Sequence, residues 1–179
     1  MHIQEPVLNE TLQRLQARFD KLRFGNHMDK CNDYGPFIGA DELKSFKDSL
    51  TAQAAEFGAT IKQFNRDANN NNNKTNAHGP VIISNAGLSL PLNLDETNGP
   101  YVIVLPFRTV KESVEMLNTT KYGSNVSLFS QNVSLVMEVA YLLNAGTVWI
   151  NSINIERGVQ PRKTSGNYKI HGIEVSIEF

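Results

Sequence analysis

The residues able to do nucleophilic or metal chemistry are few in this chain. Its one cysteine, Cys31, lies in a polar loop, so neither an internal disulfide nor a multi-cysteine metal cluster is expected. Asp95 and Glu96 are adjacent carboxylates, which lack the separation needed to flank a scissile glycosidic bond. The histidines are scattered, and none has a partner at the spacing of a metal-ligand pair. They are His2, His27, His78 and His171. Residue types and spacing alone therefore assign no catalytic or metal-binding residue.

Composition and charge narrow the class of protein. The 179 residues include 17 Lys and Arg against 18 Asp and Glu, without a basic run, so we expect no nucleic-acid partner and no anionic membrane. The longest apolar stretches are far shorter than the roughly 20 residues of a membrane helix, and the first ten residues have no apolar signal core. We expect a cytoplasmic protein with a single domain over residues 1–179.

Two amphipathic helices are predicted in the amino-terminal third. Residues 6–23 carry apolar side chains at steps of three and four, which places them on one helix face. Pro6 suits the first turn, and Gly25 suits the position after the last turn. Residues 41–57 repeat the pattern, with Gly58 suited to a left-handed helix end. The polar, turn-rich segment between the helices is predicted to be a surface loop.

An asparagine-rich segment interrupts the chain after a short predicted strand at residues 59–64. Residues 65–79 have little apolar content beyond two alanines, so they bury too little surface to offset the entropy of ordering. We predict a disordered insertion here, at a surface connection between two elements.

From residue 80 onward, β-branched and aromatic runs predict strands. They lie at residues 81–83, 101–107, 124–129 and 146–151. Helical stretches separate the last three runs: Thr109 and Glu112 fit a capping box before the first helix, and Ser130 suits the N-cap of the second. Helical crossovers of this length join parallel neighbours. The fold class is therefore α/β, with a parallel sheet and flanking helices.

Two further features concern packing. Tyr141 and Trp149 occupy apolar periodic positions and are predicted to be core residues. Residues 172–179 alternate apolar and polar side chains, which predicts a strand with one apolar face. Such a terminal strand pairs with an antiparallel partner, and we expect it to serve oligomerisation by pairing with another subunit.

The order of segments resembles the carboxy-terminal part of the aldehyde dehydrogenase superfamily. The specific pieces are DETNGPYVIVLPFRTVKESVEMLNTTKYG, similar to the family's "eEiFGPvlpvi.f.t.eEAi..aN.t.YGL", and SNVSLFSQNVSLVMEVAYLLNAGTVWINS, similar to its "asvft.d...a..va..l.aGtvwiN". KLRFGNHMDKCNDYGPFIGADELKSF and EFGATI also resemble family segments, in the same order. The resemblance covers roughly residues 2 to 155 and implies the family's catalytic-lobe fold.

The resemblance also implies which functional groups to expect, and most do not lie in this chain. In the family, the cysteine nucleophile, the glutamate base, the oxyanion asparagine and the dinucleotide-binding domain precede the segment that this chain resembles. Glu96 falls on the family glutamate that accepts hydrogen bonds from the nicotinamide ribose of NAD(P), a role suited to a carboxylate. The family's aromatic two residues later is Asn98 here, so a turn carboxylate remains the alternative for Glu96. Glu156 stands near the position of an aromatic that lines the family's substrate tunnel.

Three functions remain open from the sequence. One is a degenerate, truncated lobe, a pseudoenzyme with no activity of its own that serves as an association module. The alternative is an incomplete piece of an active NAD-dependent aldehyde dehydrogenase. A third is a binding module that retains weak nucleotide affinity through Glu96. The first needs no cofactor for the chain alone, whereas relatives use NAD(P). For a lobe that stands alone we expect a homo-oligomer or a complex with a full-length aldehyde dehydrogenase-like partner, because a lobe cut from a larger subunit exposes apolar surface.

Overall fold

The structure is a computed structural model that describes residues 1–64, 78–87, 89, 98–120 and 122–153. The chain divides into two compact units, Met1–Arg108 and Thr109–Phe179, each of which is described by itself. Both units combine helices with short parallel strand pairs, which confirms the predicted α/β class. The single domain expected over residues 1–179 stays a prediction.

The described residues of the first unit form two helices and five strands. The helices are α1 (Glu5–Phe19) and α2 (Ala40–Phe57), and the strands are β1 (His2–Gln4), β2 (Thr60–Gln63), β3 (Val81–Ser84), β4 (Tyr101–Ile103) and β5 (Leu105–Phe107). Strand β3 pairs with β2 in antiparallel and with β4 in parallel fashion, and β1 pairs in parallel with β5. The sheet β2–β3–β4 is therefore mixed, because it contains one antiparallel pair and one parallel pair.

The predicted helix at residues 6–23 is α1, but it ends earlier than expected. Pro6 lies in its first turn, as predicted. The helix stops at Phe19, and Gly25 does not close it, because the following segment pairs with the loop instead: the amide of Gly25 donates to the carbonyl oxygen of Tyr34 at 3.1 Å. The apolar stripe of α1 packs on the core as predicted, against the buried side chains of Ile3, Phe64, Ile82 and Val104.

Helix α2 agrees closely with its prediction. It begins at Ala40 and ends at Phe57, and Gly58 takes the left-handed conformation at φ 64°. That conformation favours glycine because a Cβ would crowd the following carbonyl oxygen. Phe46 and Leu50 bury one face of the helix.

The strand predicted at residues 101–107 is two strands, because the chain changes its pairing partner at Val104. The amide of Val104 donates to the carbonyl oxygen of Ile83 at 2.9 Å, whereas the next amide, of Leu105, donates to the carbonyl oxygen of Met1 at 3.0 Å. Strand β1 was not predicted, because three residues are too few to show a period of two.

The second unit holds α3 (Val110–Thr119), β6 (Asn125–Leu128), α4 (Val133–Leu142) and β7 (Thr147–Ile150). The β6–α4–β7 order with β6 parallel to β7 confirms the predicted crossover. The capping box of α3 is also confirmed, with the Glu112 amide donating to Thr109 Oγ1 at 3.2 Å. The predicted cap of α4 is wrong: Asn132, not Ser130, accepts a hydrogen bond from the Leu135 amide, at 3.1 Å.

The core prediction for α4 is also wrong in part. Tyr141 is 66% exposed, because the side of α4 that is buried is the one carrying Val136. Trp149 in β7 is partly buried.

Some predictions fall largely or wholly on residues outside the described ranges. Residues 65–77 of the predicted insertion lie outside them, whereas His78 at its end is buried. Glu96 and the strand predicted at residues 172–179 also lie outside the described residues. Within the described part of the chain, no helix is long and apolar enough to cross a membrane.

Candidate functional site

The segment nearest to Glu96 that the structure describes is Asn98–Pro100, which leads into β4. Asn98 is exposed, and Gly99 lies directly against the ring of Phe46, so closely that an added Cβ would overlap the ring atoms. The carbonyl oxygens of this turn are used by the sheet. Pro100 accepts a hydrogen bond from the Val81 amide at 2.9 Å, and Gly99 accepts one from the Tyr101 amide at 3.0 Å.

An aromatic cluster centred on Phe46 packs against this turn at Gly99. The fully buried ring of Phe46 has its centroid 5.5 Å from that of Phe37, 5.1 Å from His78 and 6.0 Å from Tyr101. His78 is 5% exposed, and its Nδ1 lies 2.7 Å from the carbonyl oxygen of Gly79. A carbonyl can only accept, so Nδ1 carries the proton. Sequence reasoning missed this cluster, because its members are far apart in the chain.

Burial sets the protonation state of His78. Desolvation lowers the pKa of His78 below its ordinary value; the hydrogen bond to Gly79 opposes this, and the charge of Lys47 reinforces it. The ring is therefore neutral near pH 7 and is a packing element with one polar contact.

The described residues do not by themselves form a nicotinamide site. Glu96, the residue that the resemblance assigns to the cofactor, lies outside them. Asn98 presents an exposed amide where the resemblance implies an aromatic ring, so the stacking contribution to a nicotinamide is missing at that position. No step of catalysis is assigned to a cofactor held by these residues.

Cys31 lies in an exposed loop rather than in a cleft. Its backbone amide donates to Asp29 Oδ1 at 2.9 Å, and the described part of the chain gives its Sγ no hydrogen-bond partner. The loop is closed by Arg23, whose amide and Nε donate to Asp33 Oδ2 at 2.9 and 3.2 Å. These hydrogen bonds hold the pKa of Asp33 below its ordinary value. Arg23 and Asp33 thus form an ion pair that closes the loop carrying Cys31.

The histidines that the structure describes are not assembled into a metal centre. Among the residues described, no three His, Cys, Asp or Glu side chains are close enough to hold an ion. Burial lowers the pKa of His2 to about 4, with a further lowering by the amino-terminal charge beside it.

A cavity of about 350 Å³ lies in the second unit, at the ends of α3 and α4 that precede β6 and β7. Asn118 joins the two helix ends: its Nδ2 donates to the carbonyl oxygen of Leu142, and its Oδ1 accepts from the amide of Asn144, both at 2.8 Å. None of the side chains singled out from the sequence lines this cavity. Both functions of the Asn118 amide are satisfied, so it braces the helix ends.

Asn151 occupies the opposite edge of the second unit, where β6 and β7 end. It has a left-handed φ of 51°. Its Oδ1 accepts from the amide of Ser130 and its Nδ2 donates to the carbonyl oxygen of the same residue, each at 3.0 Å. The carboxyl edge of parallel strands is where α/β sheets place ligands. Asn151 therefore fixes the direction in which the chain leaves β7 towards Ser152 and Ile153. Glu156, which the resemblance places near the substrate tunnel, lies outside the described residues.

Comparisons with known proteins agree on one family. Residues 1–175 match the model of the aldehyde dehydrogenase family. The chain is 27% identical over 170 residues to an aldehyde dehydrogenase of Enchytraeus buchholzi, covering 95% of this chain and 33% of that protein.

Solved structures show the same relationship. Betaine aldehyde dehydrogenase from Staphylococcus aureus, in complex with NAD+, has 29% identity and a TM-score of 0.73, covering 87% of this chain and 31% of that one. Lactaldehyde dehydrogenase from Escherichia coli has 25% identity and a TM-score of 0.75, covering 87% and 32%. An NAD+ complex of aldehyde dehydrogenase from Bacillus cereus shares the fold, with 24% identity and a TM-score of 0.76 over 87% of this chain. The chain thus spans about a third of the length of these relatives.

Proposed function

Because this chain belongs to the aldehyde dehydrogenase family, we propose that it is a catalytic-lobe segment without activity of its own, which functions by association. The chain matches about a third of a relative, and nearly all of its own length takes part in the match. Aldehyde oxidation through a thioester needs a thiolate, donors for the oxyanion, a base for water and a hydride acceptor. The described residues bring no such set together.

Exposed apolar surface supports the association part of the proposal. On α4, Val133, Met137 and Tyr141 follow one another at intervals of four residues and are 71%, 42% and 66% exposed. We name these three residues the α4 stripe. Residues spaced by four lie on one side of a helix, so the three exposed apolar side chains share one side of α4, which suits them to contact with another chain. The partner is a second copy of the chain or a full-length aldehyde dehydrogenase-like protein.

The test of inactivity is an assay of the purified chain for aldehyde-dependent reduction of NAD+ and of NADP+. Betaine aldehyde and lactaldehyde are suitable substrates because relatives carry those names, and a full-length relative serves as the positive control. We expect no reduction with the wild-type chain or with Cys31→Ala. Turnover by the wild-type chain would overturn the proposal, and its loss in Cys31→Ala would identify the nucleophile.

The second candidate is a piece of a longer, active NAD-dependent aldehyde dehydrogenase, and the same coverage favours it. A denaturing blot of the source cells with an antibody against residues 101–151 separates the two candidates. A band near 20.0 kDa would support the separate lobe. A band of more than twice that mass would support the longer enzyme, whose remaining part would supply the nucleophile and the cofactor domain.

A further inference from the structure

The turn before β4 places one chemically labile pair of residues at the surface. Asn98–Gly99 is the only Asn-Gly pair in the 179 residues. Glycine after asparagine leaves the next backbone nitrogen unshielded, because no Cβ hinders its approach to the asparagine side chain. Both residues are exposed and lie outside helices and strands.

Among the described residues, the hydrogen bonds of this turn use backbone carbonyl oxygens. Gly99 accepts from the amide of Tyr101 at 3.0 Å, and Pro100 accepts from the amide of Val81 at 2.9 Å. No hydrogen bond among the described residues uses the side-chain amide of Asn98 or the backbone N–H of Gly99. Attack of the Gly99 nitrogen on Cγ of Asn98 therefore breaks none of the sheet hydrogen bonds of the described residues.

From this arrangement we infer that Asn98 is a site of spontaneous deamidation. The deprotonated amide nitrogen of Gly99 attacks Cγ of Asn98, a C–N bond forms, and the side-chain nitrogen leaves as ammonia. Water then opens the resulting succinimide at either carbonyl. The net reaction consumes one water, releases one ammonia, and converts Asn98 to aspartate or isoaspartate without any oxidant or reductant. The inference does not depend on the proposed function.

Core packing explains why a labile pair stands at this position. A side chain at residue 99 would overlap the ring of Phe46, which is 1% exposed and held among Phe37, His78 and Tyr101. Glycine is therefore imposed at residue 99 by the core. The more hindered residues that slow succinimide formation elsewhere are excluded here, and the lability depends on whether residue 98 is asparagine.

The product differs from the starting chain in charge and in backbone length. Each event adds one negative charge to a chain whose formal net charge is −1. Isoaspartate also adds one methylene to the main chain immediately before Gly99, whose position is fixed by Phe46 and whose carbonyl is bonded to Tyr101.

The test is a time course of the purified full-length chain at mildly alkaline pH, with peptide mapping by mass spectrometry after digestion at acidic pH. Asn85 and Asn144 are internal standards, because both are exposed and both are followed by alanine. A parallel sample in guanidinium gives the deamidation rate of each asparagine in the unfolded chain. Anion-exchange chromatography of the intact chain follows the charge change independently.

We expect conversion at Asn98 to be several-fold faster than at either standard, and as fast in the native chain as in guanidinium. Isoaspartate should appear beside aspartate, and Asn98→Gln should abolish the acidic species, because its longer side chain cannot form the five-membered ring. A native rate at Asn98 several-fold below the denatured rate would overturn the inference, since the fold would then be protective. A rate no faster than at Asn85 and Asn144 would overturn it equally.

Discussion

The ring of Phe46 occupies the space that a side chain at residue 99 would need. These two residues are far apart in the sequence, and their contact joins the buried face of α2 to the turn that begins β4. Because the ring is itself held by Phe37, His78 and Tyr101, it cannot swing away without disturbing the whole cluster. The backbone at Gly99 is thus positioned by the core of the first unit.

Gly99→Ala tests this contact. Overpacking of a filled core costs about 1–3 kcal/mol, and we expect a loss of unfolding free energy in that range, measured by denaturant titration. Gly87→Ala is the matched control, because the described atom that a Cβ there meets is Ser89 Oγ, at an ordinary 3.6 Å, and the expected change is within about 0.5 kcal/mol.

The double variant Gly99→Ala with Phe46→Leu identifies the cause of that loss. The smaller side chain at residue 46 makes room for the methyl group, so the cost of Gly99→Ala should fall in this background. An equal cost in both backgrounds would show that the glycine is required for another reason.

Two histidines, the buried His78 and the partly buried His2, predict a loss of stability in acid. The pKa values of His2 and His78 are lowered in the folded chain, that of His2 to about 4, so the unfolded state binds more protons below the ordinary value of 6.5. Stability should therefore fall as the pH drops below about 6.5, by up to about 1.4 kcal/mol per pH unit for each histidine. The fall from His2 should level off near pH 4.

Denaturant titrations from pH 7 to pH 4 measure this dependence. His78→Gln keeps a polar side chain that does not titrate, so it should flatten the profile relative to the wild type. His27→Gln is the control, because His27 is exposed. A profile for His78→Gln that parallels the wild type would contradict the assignment to His78.

How far the sequence predicts the fold depends on whether a signal is local. The stripe of α1, the left-handed Gly58 and the Thr109–Glu112 capping box each involve neighbouring residues, and each is found where the sequence places it. The predicted β6–α4–β7 crossover also follows from local patterns joined by a short connection.

The features that the sequence does not predict depend on distant partners. Strand β1 exists because Met1–Gln4 lies beside β5, about a hundred residues away in the chain, and the division of residues 101–107 follows from the same pairing. The contact of Gly99 with Phe46 is equally remote. Even the cap of α4 was misplaced by two residues, since Ser130 and Asn132 are both good capping residues and only the turn geometry selects Asn132.

Two substitutions of Asn151 separate the contributions of its backbone conformation and of its hydrogen bonds to stability. Asn151→Gly keeps the left-handed conformation at no steric cost but removes both hydrogen bonds to Ser130. Asn151→Ala removes the same bonds and adds the left-handed penalty of about 1–2 kcal/mol for a residue with a Cβ. Alanine should therefore be more destabilising than glycine by about 1 kcal/mol in denaturant titrations. If the Asn151→Ala variant is as stable as the Asn151→Gly variant, or more stable, the fold does not maintain the left-handed conformation at residue 151.

The α4 stripe predicts the size of the protein in solution. If the stripe is the surface through which the chain associates, the wild type should have a mass above that of a monomer in light scattering. Met137→Lys and Tyr141→Lys should each shift the mass toward the monomer, because they place a charge in an apolar contact that association would desolvate. Helix content by circular dichroism should not change, since both side chains are exposed.

Gln13→Lys is the matched control for this prediction. It introduces the same charge at an exposed helical residue of α1, outside the α4 stripe, and it should leave the mass unchanged. Equal dissociation by Gln13→Lys and Tyr141→Lys would show that added charge alone, not loss of the apolar contact, drives the effect. A monomeric wild-type chain would leave a heterologous partner as the only form of the association proposal, and a full-length relative mixed with the chain would then have to bind it in a way that Tyr141→Lys weakens.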